Sequence, residues 1–283
     1  MRLLPEVVYA KGYRTLKRRG DILGCVISLS IAYAAISTLS DLVLLSSGNS
    51  HLGAILAGDV AFIYIFMAML LLCPLIMGIV VKGVSSVMEG DVNWRKILIS
   101  VGRGLPRILI AMVVYAGALV GIFISVVALS VGTGSLACIC VGLPIAAVLV
   151  FYVALRLSLV LQWILLGEEG VIVSFLRSWS MTSGHVGFML VLHLPLYVVI
   201  LVTSALRPWL LDAVAHLNIW DPTFLPALLI LWLFNFLNML FMILLESALT
   251  IAYLEMKPSW EEKVRREMER EMGHALREDY SWV

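Results

Sequence analysis

Long apolar runs alternate along the chain with short polar stretches, and six of them can be drawn, at 22–45, 54–81, 108–131, 136–166, 186–206 and 225–254. Runs of about 20 residues or more are long enough to cross a hydrocarbon layer of roughly 30 Å. A helix is the spanning form that satisfies its own backbone groups without closing into a barrel. The pattern therefore predicts an all-α integral membrane protein with six transmembrane helices. Residues 22–257 form one membrane domain, set between a cytoplasmic amphipathic segment at 1–21 and a cytoplasmic charged helical tail at 258–283.

The polar stretches repeat a plan. Ahead of the first, third and fifth runs lies a segment that mixes aromatic, apolar and basic residues and closes on Gly20, Gly104 or Gly184, about eighty residues apart. This predicts three helical hairpins, each preceded by an amphipathic elbow helix in the headgroup layer. The candidate interfacial residues are Trp94, Arg95 and Lys96 in the second elbow and Arg177 and Trp179 in the third. In the tail, which begins at Lys257-Pro258, Ser259 is placed to cap a helix at its N-terminus. Glu261 with Arg265 and Glu262 with Arg266 form four-apart pairs, and Trp260, Val264, Met268 and Met272 form a narrow apolar stripe. The stripe is expected to pack on the membrane domain or on a partner.

Composition agrees with a bilayer setting. The 283 residues are 61% hydrophobic and 14% charged, with mean hydropathy +1.01, about half the charge of a soluble domain. Of the 20 Lys and Arg residues, all but Arg207 fall on one set of alternate loops. By the positive-inside rule both termini are cytoplasmic, and a cell (plasma) membrane location is expected. Topology thus accounts for the basic residues, and no nucleic-acid partner is expected. The four cysteines, Cys25, Cys73, Cys138 and Cys140, lie within apolar runs and read as packing residues.

Candidate chemistry is sparse. Asp41 and Asp59 lie near the far ends of the first two runs, where capping, snorkelling or a cation or proton site are the alternatives. Arg156, His193 and Glu246 lie at similar depths, roughly 10 to 15 Å from the cytoplasmic surface at 1.5 Å per residue. They form a candidate buried polar cluster, which Gln162, Asn235 and Asn238 extend. Such a cluster either fixes helix register as an ion pair or relays a proton or substrate. No P-loop, His-Glu-x-x-His or Gly-x-Ser-x-Gly motif occurs. Gly132-Thr133-Gly134-Ser135 reads as an outer turn, and Asp212, His216 and Asp221 lack regular ligand spacing. No catalytic residue, cofactor or metal is expected.

One stretch carries a resemblance. Arg156-Leu157-Ser158-Leu159, the turn Gly167-Glu168-Glu169-Gly170, and Val173 to Gly184 (VSFLRSWSMTSG) resemble the hallmark of a prokaryotic multi-pass family related to the membrane domain of some glycerophosphoryl diester phosphodiesterases. Gly78 to Gly90 and Ala252 to Lys257 are similar to its second cytoplasmic segment and closing signature, with Glu255 and Met256 departing from the commoner Asp-Leu. The resemblance implies a six-helix domain and supplies no catalytic residues. A βα-alternating segment like the phosphodiesterase barrel of some relatives does not occur. The functional expectation is a non-enzymatic scaffold or accessory subunit engaging membrane lipids and a membrane-protein partner or a second copy of the chain. The alternatives are a small-molecule or ion permease using the polar seam and an intramembrane lipid-acting enzyme using His185, His193 or His216.

Overall fold

The computed structural model describes the backbone of residues 4–47, 52–132, 136–216 and 223–280, and their side chains except at 42–66, 130–131, 136–139, 213, 215–216, 224 and 270–280. In chain order the described helices are α1 (Pro5–Lys17), α2 (Gly20–Ser47), α3 (Leu52–Glu89), α4 (Trp94–Gly132), α5 (Leu136–Arg156), α6 (Val160–Leu166), α7 (Val171–Met181), α8 (Val186–His216) and α9 (Phe224–Tyr280). Among the described residues six stretches are long and apolar enough to cross a membrane: those in α2, α3, α4 and α8, the pair α5 and α6 together, and α9. The chain is an all-α, multi-pass membrane protein.

Three boundaries differ from those expected, each for a local reason. The run 136–166 is two helices, because the backbone breaks between Arg156 and Val160. Gly104 does not end the second elbow. Trp94 to Gly132 is one helix, with Pro106 inside it. Gly104 is small for a packing reason, since a Cβ there would sit 2.7 Å from Leu165 Cδ2. Nor does a new helix begin after Pro258: α9 runs from Phe224 through it to Tyr280. Ser259 accordingly caps nothing, and its hydroxyl donates back to the Met256 carbonyl at 2.9 Å. Beyond Pro258, Glu262 pairs with Arg266 at 2.9 Å as expected, whereas Arg265 pairs with Glu262 at 2.7 Å in place of Glu261. Val264 is half-buried and Met268 exposed; the Met272 side chain lies outside the described residues.

Packing is concentrated at the end of the bundle that carries the basic residues. Val8 and Leu16 of α1, Ile22 and Val26 of α2, Ile76 and Val80 of α3, Trp163 of α6, Met189 of α8 and Leu249 and Tyr253 of α9 form one buried cluster there. Helix α9 is its axis and touches α1, α2, α3 and α8. At the other end α4 and α5 pack mainly on each other, and Val113, Val120, Ile124, Val141 and Val148 stay exposed. Apolar side chains left bare on a membrane helix are solvated by lipid tails, so they carry no burial penalty.

Helix α1 enters that cluster. Pro5 at the first turn, Glu6 after it, and Arg14 and Lys17 in the last turn suit a free-standing helix. One face is nevertheless buried through Val8, Gly12, Thr15 and Leu16. Lys11 Nζ meets Glu255 at 2.5 Å, and the Tyr9 hydroxyl donates to the Leu192 carbonyl. Burial pushes the Tyr9 phenol up to about 12. The other face, with Leu4, Val7 and Tyr13, is exposed. So α1 is wedged between bundle and surroundings rather than simply lying on a surface. Close approach is possible because residue 12 has no side chain: a Cβ there would be 2.8 Å from Ser247 Oγ and 3.2 Å from the Ser247 carbonyl carbon. Gly12→Val is therefore expected to cost about 1–3 kcal/mol by overpacking against backbone that cannot yield. A lower midpoint for thermal unfolding of the purified protein in nanodiscs checks this. Gly24→Ala, which would meet nothing within 4 Å, is the matched control and should leave the midpoint within a degree or two.

Candidate functional site: a broken span beside an apolar cavity

The break between α5 and α6 frees backbone groups, and freed groups at membrane depth must find partners within the protein. The Val160 N–H turns to the Leu157 carbonyl at 3.2 Å, leaving the Arg156 carbonyl without its helical donor. Helix α7 supplies the replacement. Ser178 Oγ donates to the Arg156 carbonyl at 3.0 Å while accepting the Leu159 N–H at 3.2 Å. Thr182 Oγ1 lies 2.9 Å from the same carbonyl and 2.7 Å from the Ser178 carbonyl, and its one proton serves either. Ser174, Ser178 and Thr182 are fully buried, whereas Ile172 and Leu176 on the same helix are exposed. The amphipathic elbow is thus turned with its small hydroxyl residues to the protein and its apolar residues outward.

The Arg156 side chain is held by the same helix. Its guanidinium lies 4.3 Å from the ring centre of Trp179 and 5.8 Å from that of Tyr152, a cation–π clamp, and its Nε has no partner. Among the described contacts none joins Arg156 to His193 or Glu246, so the expected triad is not assembled.

Glu246 and His193 do share a site. Both line a cavity of about 300 Å³ between α3, α4, α8 and α9, roofed by residues of α5, α6 and α7. Its wall is mostly apolar, with Cys73, Pro74, Ala111, Phe175 and Leu196 among the lining residues. Glu246 Oε2 accepts from Gln162 Nε2 at 2.9 Å. Gln162 itself is fully buried, and its Oε1 has no partner. His193 Nδ1 lies 2.8 Å from the Met189 carbonyl and donates to it. The ring stacks on Tyr197 with centroids 5.9 Å apart.

The other polar residues go elsewhere. Asn235 Nδ2 donates to Thr38 Oγ1 at 3.2 Å and to Asp41 Oδ2 at 3.4 Å, and Arg207 closes an ion pair on the buried Asp41. Asp41 is therefore the ion-pair partner of Arg207. Asn238 pairs with Thr203 at 3.1 Å. The side chains of Asp59, His216 and Asp221, and the turn at 133–135, lie outside the described residues. Cys25, Cys73 and Cys140 are free thiols, and no group of three metal-binding side chains occurs among the described residues.

The elbow residues fasten helices to one another. Trp94 Nε1 donates to Asp21 Oδ2 at 2.8 Å, and Asp21 also meets Arg19 at 3.0 Å, which holds the Arg19 guanidinium above its ordinary range. Lys96 pairs with Asp91 at 2.7 Å, and Arg95 is exposed. Arg177 meets Glu169 at 2.5 Å and lies 5.1 Å from the ring of Trp163. Trp163 is packed edge-on against Tyr253 and Trp260, and Trp260 Nε1 donates to Ser180 Oγ at 3.2 Å. Between α4 and the turn after α6 lies a second, polar cleft of about 510 Å³ with Lys96, Arg103, Arg107 and Glu168 on its rim.

No family model, no curated protein and no solved structure matches this chain. The reading of the site therefore rests on its geometry. Ser178 and Thr182 were not among the residues singled out from sequence; four-apart hydroxyl residues on one face of a segment following a membrane run were the available signal. Ser178→Ala removes the acceptor for the Leu159 N–H, leaving that buried backbone group unpaired at a cost of about 1–3 kcal/mol, and leaves the Arg156 carbonyl to Thr182 alone. Thermal unfolding in nanodiscs should show the loss. It should exceed that from Ser174→Ala, whose hydroxyl bonds within its own helix to the Gly170 carbonyl.

Proposed function

We propose that the protein is a non-enzymatic scaffold or accessory subunit of the plasma membrane, with both termini cytoplasmic, which presents a helical arm to a partner while three elbows seat it among lipid headgroups. The observation that carries this is the continuity of α9 through Pro258 to Tyr280. At 1.5 Å per residue the part beyond Pro258 projects roughly 30 Å. Its base is clamped by Trp260 against Trp163 and Ser180. Outward of the clamp the arm carries exposed ion pairs and the bare side chain of Met268. Isolated helices of this length are marginal in water, and exposed four-apart pairs add little each, so an arm of this kind is suited to a partner surface. The outward apolar residues of the elbows, Leu4 and Val7, Leu98 and Ile99, and Ile172 and Leu176, support the lipid contact. The resemblance to the family with a phosphodiesterase-linked membrane domain agrees with a role without catalysis.

A photoreactive residue at position 268, activated in native membranes, is expected to capture one defined protein or a second copy of the chain. Truncation after Lys263 should abolish the assembly on native gels while the membrane domain still elutes as one species. Crosslinking at 268 that matches that of a photoreactive residue at Arg95, on a different surface, would refute the arm as a docking site.

A second reading, a permease, is favoured by one observation: Glu246 and His193 line the cavity between spans. It predicts substrate-dependent flux into liposomes that falls to background in Glu246→Gln. Flux unchanged by that substitution removes the reading.

A further inference from the structure

The basic residues of the second elbow are not spread evenly round α4. Lys96, Ile99, Ser100, Arg103, Gly104 and Arg107 recur at helical spacing, and this one stripe walls the cleft of about 510 Å³. Ile164, Leu165 and Glu168 form the facing wall. Gly104 lets the two walls touch, since a Cβ there would meet the Leu165 side chain.

The charges in the cleft do not cancel. Lys96 has Asp91, and the Glu168 carboxylate lies within electrostatic reach of Lys82 of α3. Arg107 gives one of its five N–H donors to the Glu168 carbonyl, at 3.2 Å. Glu168 is itself at φ 55°, a left-handed conformation that non-glycine residues seldom adopt, so the turn holds that carbonyl toward the arginine in a strained backbone. Arg103 has no hydrogen bond and no ion pair among the described residues. Two guanidiniums about 6 Å apart along the helix axis, at 1.5 Å per residue, thus line the cleft with no carboxylate bonded to either. Their planar forks match the oxygens of a phosphate.

The residues that follow along α4 point to the source of that phosphate. The stripe of Arg103 and Arg107 continues through Ile110 and Val114, both exposed. Leu98 and Ile99, and Ile172 and Leu176 of α7, are exposed as well. The headgroup layer is roughly 5–7 Å deep on each side of a bilayer, which matches the step between the arginines, and charge gives way to hydrocarbon directly beyond them. A soluble phosphate would use the charges and leave the apolar stripe bare. A lipid uses both.

We propose that this cleft binds one anionic phospholipid from the leaflet at the basic end of the bundle, its phosphate bridging Arg103 and Arg107 and one acyl chain lying along Ile110 and Val114. The assignment rests on the reading that the elbows sit among lipid headgroups, and adds to it a preference for negative over zwitterionic lipid.

The test uses the full chain in phosphatidylcholine nanodiscs and two photoreactive lipids that differ only in headgroup, phosphatidylglycerol and phosphatidylcholine, each with a diazirine near the carboxyl end of one acyl chain. The phosphatidylglycerol probe is expected to label Ile110 and Val114 saturably and to be displaced by unlabelled phosphatidylglycerol. The phosphatidylcholine probe should label there no more than at Val148, a lipid-facing residue of α5. Arg103→Gln, which removes no hydrogen bond or ion pair among the described residues, should weaken the saturable labelling about tenfold. Arg95→Gln, the same loss of charge on the same elbow but outside the cleft, should leave it unchanged. Equal weakening by the two substitutions, or equal labelling by the two lipids, would overturn the site and leave the elbow reading standing. No label at Leu98, Ile110 or Ile172 from either probe would remove the elbow reading and the site with it. Displacement by inorganic phosphate, at constant ionic strength, as readily as by the lipid would assign the cleft to a soluble phosphate and overturn the lipid.

Discussion

The architecture depends on one carbonyl oxygen. When span 4 breaks after Arg156, its backbone is exposed at a depth where water is scarce, and the hydroxyls of Ser178 and Thr182 are what make the break tolerable. Because both hydroxyls sit on α7, the elbow cannot drift along the membrane surface: it is stitched to the span before it. Through the same helix Trp179 holds the Arg156 side chain and Arg177 reaches Trp163, so the position of α7 fixes the cluster at the basic end.

That cluster explains the uneven packing of the bundle. Helices α1, α6 and α7 all add side chains at one end, where Trp163, Tyr253 and Leu249 are fully buried. No comparable elements thicken the other end among the described residues, and α4 and α5 pack mainly on each other there with their outer apolar faces bare. The cavity lies where the tightly packed part gives way to the loose one. Its charged and imidazole groups stand on α9 and α8, and part of its apolar wall stands on α4, whose Ile110, Val113 and Val114 are exposed on another face.

Sequence reasoning reached the spans because hydropathy and length act over twenty residues at a time, and no single side chain decides them. It failed where a decision belongs to one residue and its tertiary partner. Gly104 and Pro258 look like breaks in the linear text; yet Gly104 is a contact with Leu165, and Pro258 is absorbed in a long helix whose neighbours stabilise it. The break that does exist, at Leu157-Ser158-Leu159, falls in a run of residues that read as a continuous helix. Depth arithmetic placed Arg156, His193 and Glu246 in one layer correctly enough for the last two to share a cavity. It carried no information about azimuth, so it could not foresee Arg156 turning to Trp179, or Asn235 turning to Asp41.

Glu246 and Met268 stand on one unbroken rod, with Pro258 as its softest joint and Trp260 strapping that joint to α6. A load on the arm therefore falls first on Trp260 and its contacts with Trp163 and Ser180, and reaches Glu246 only once they give.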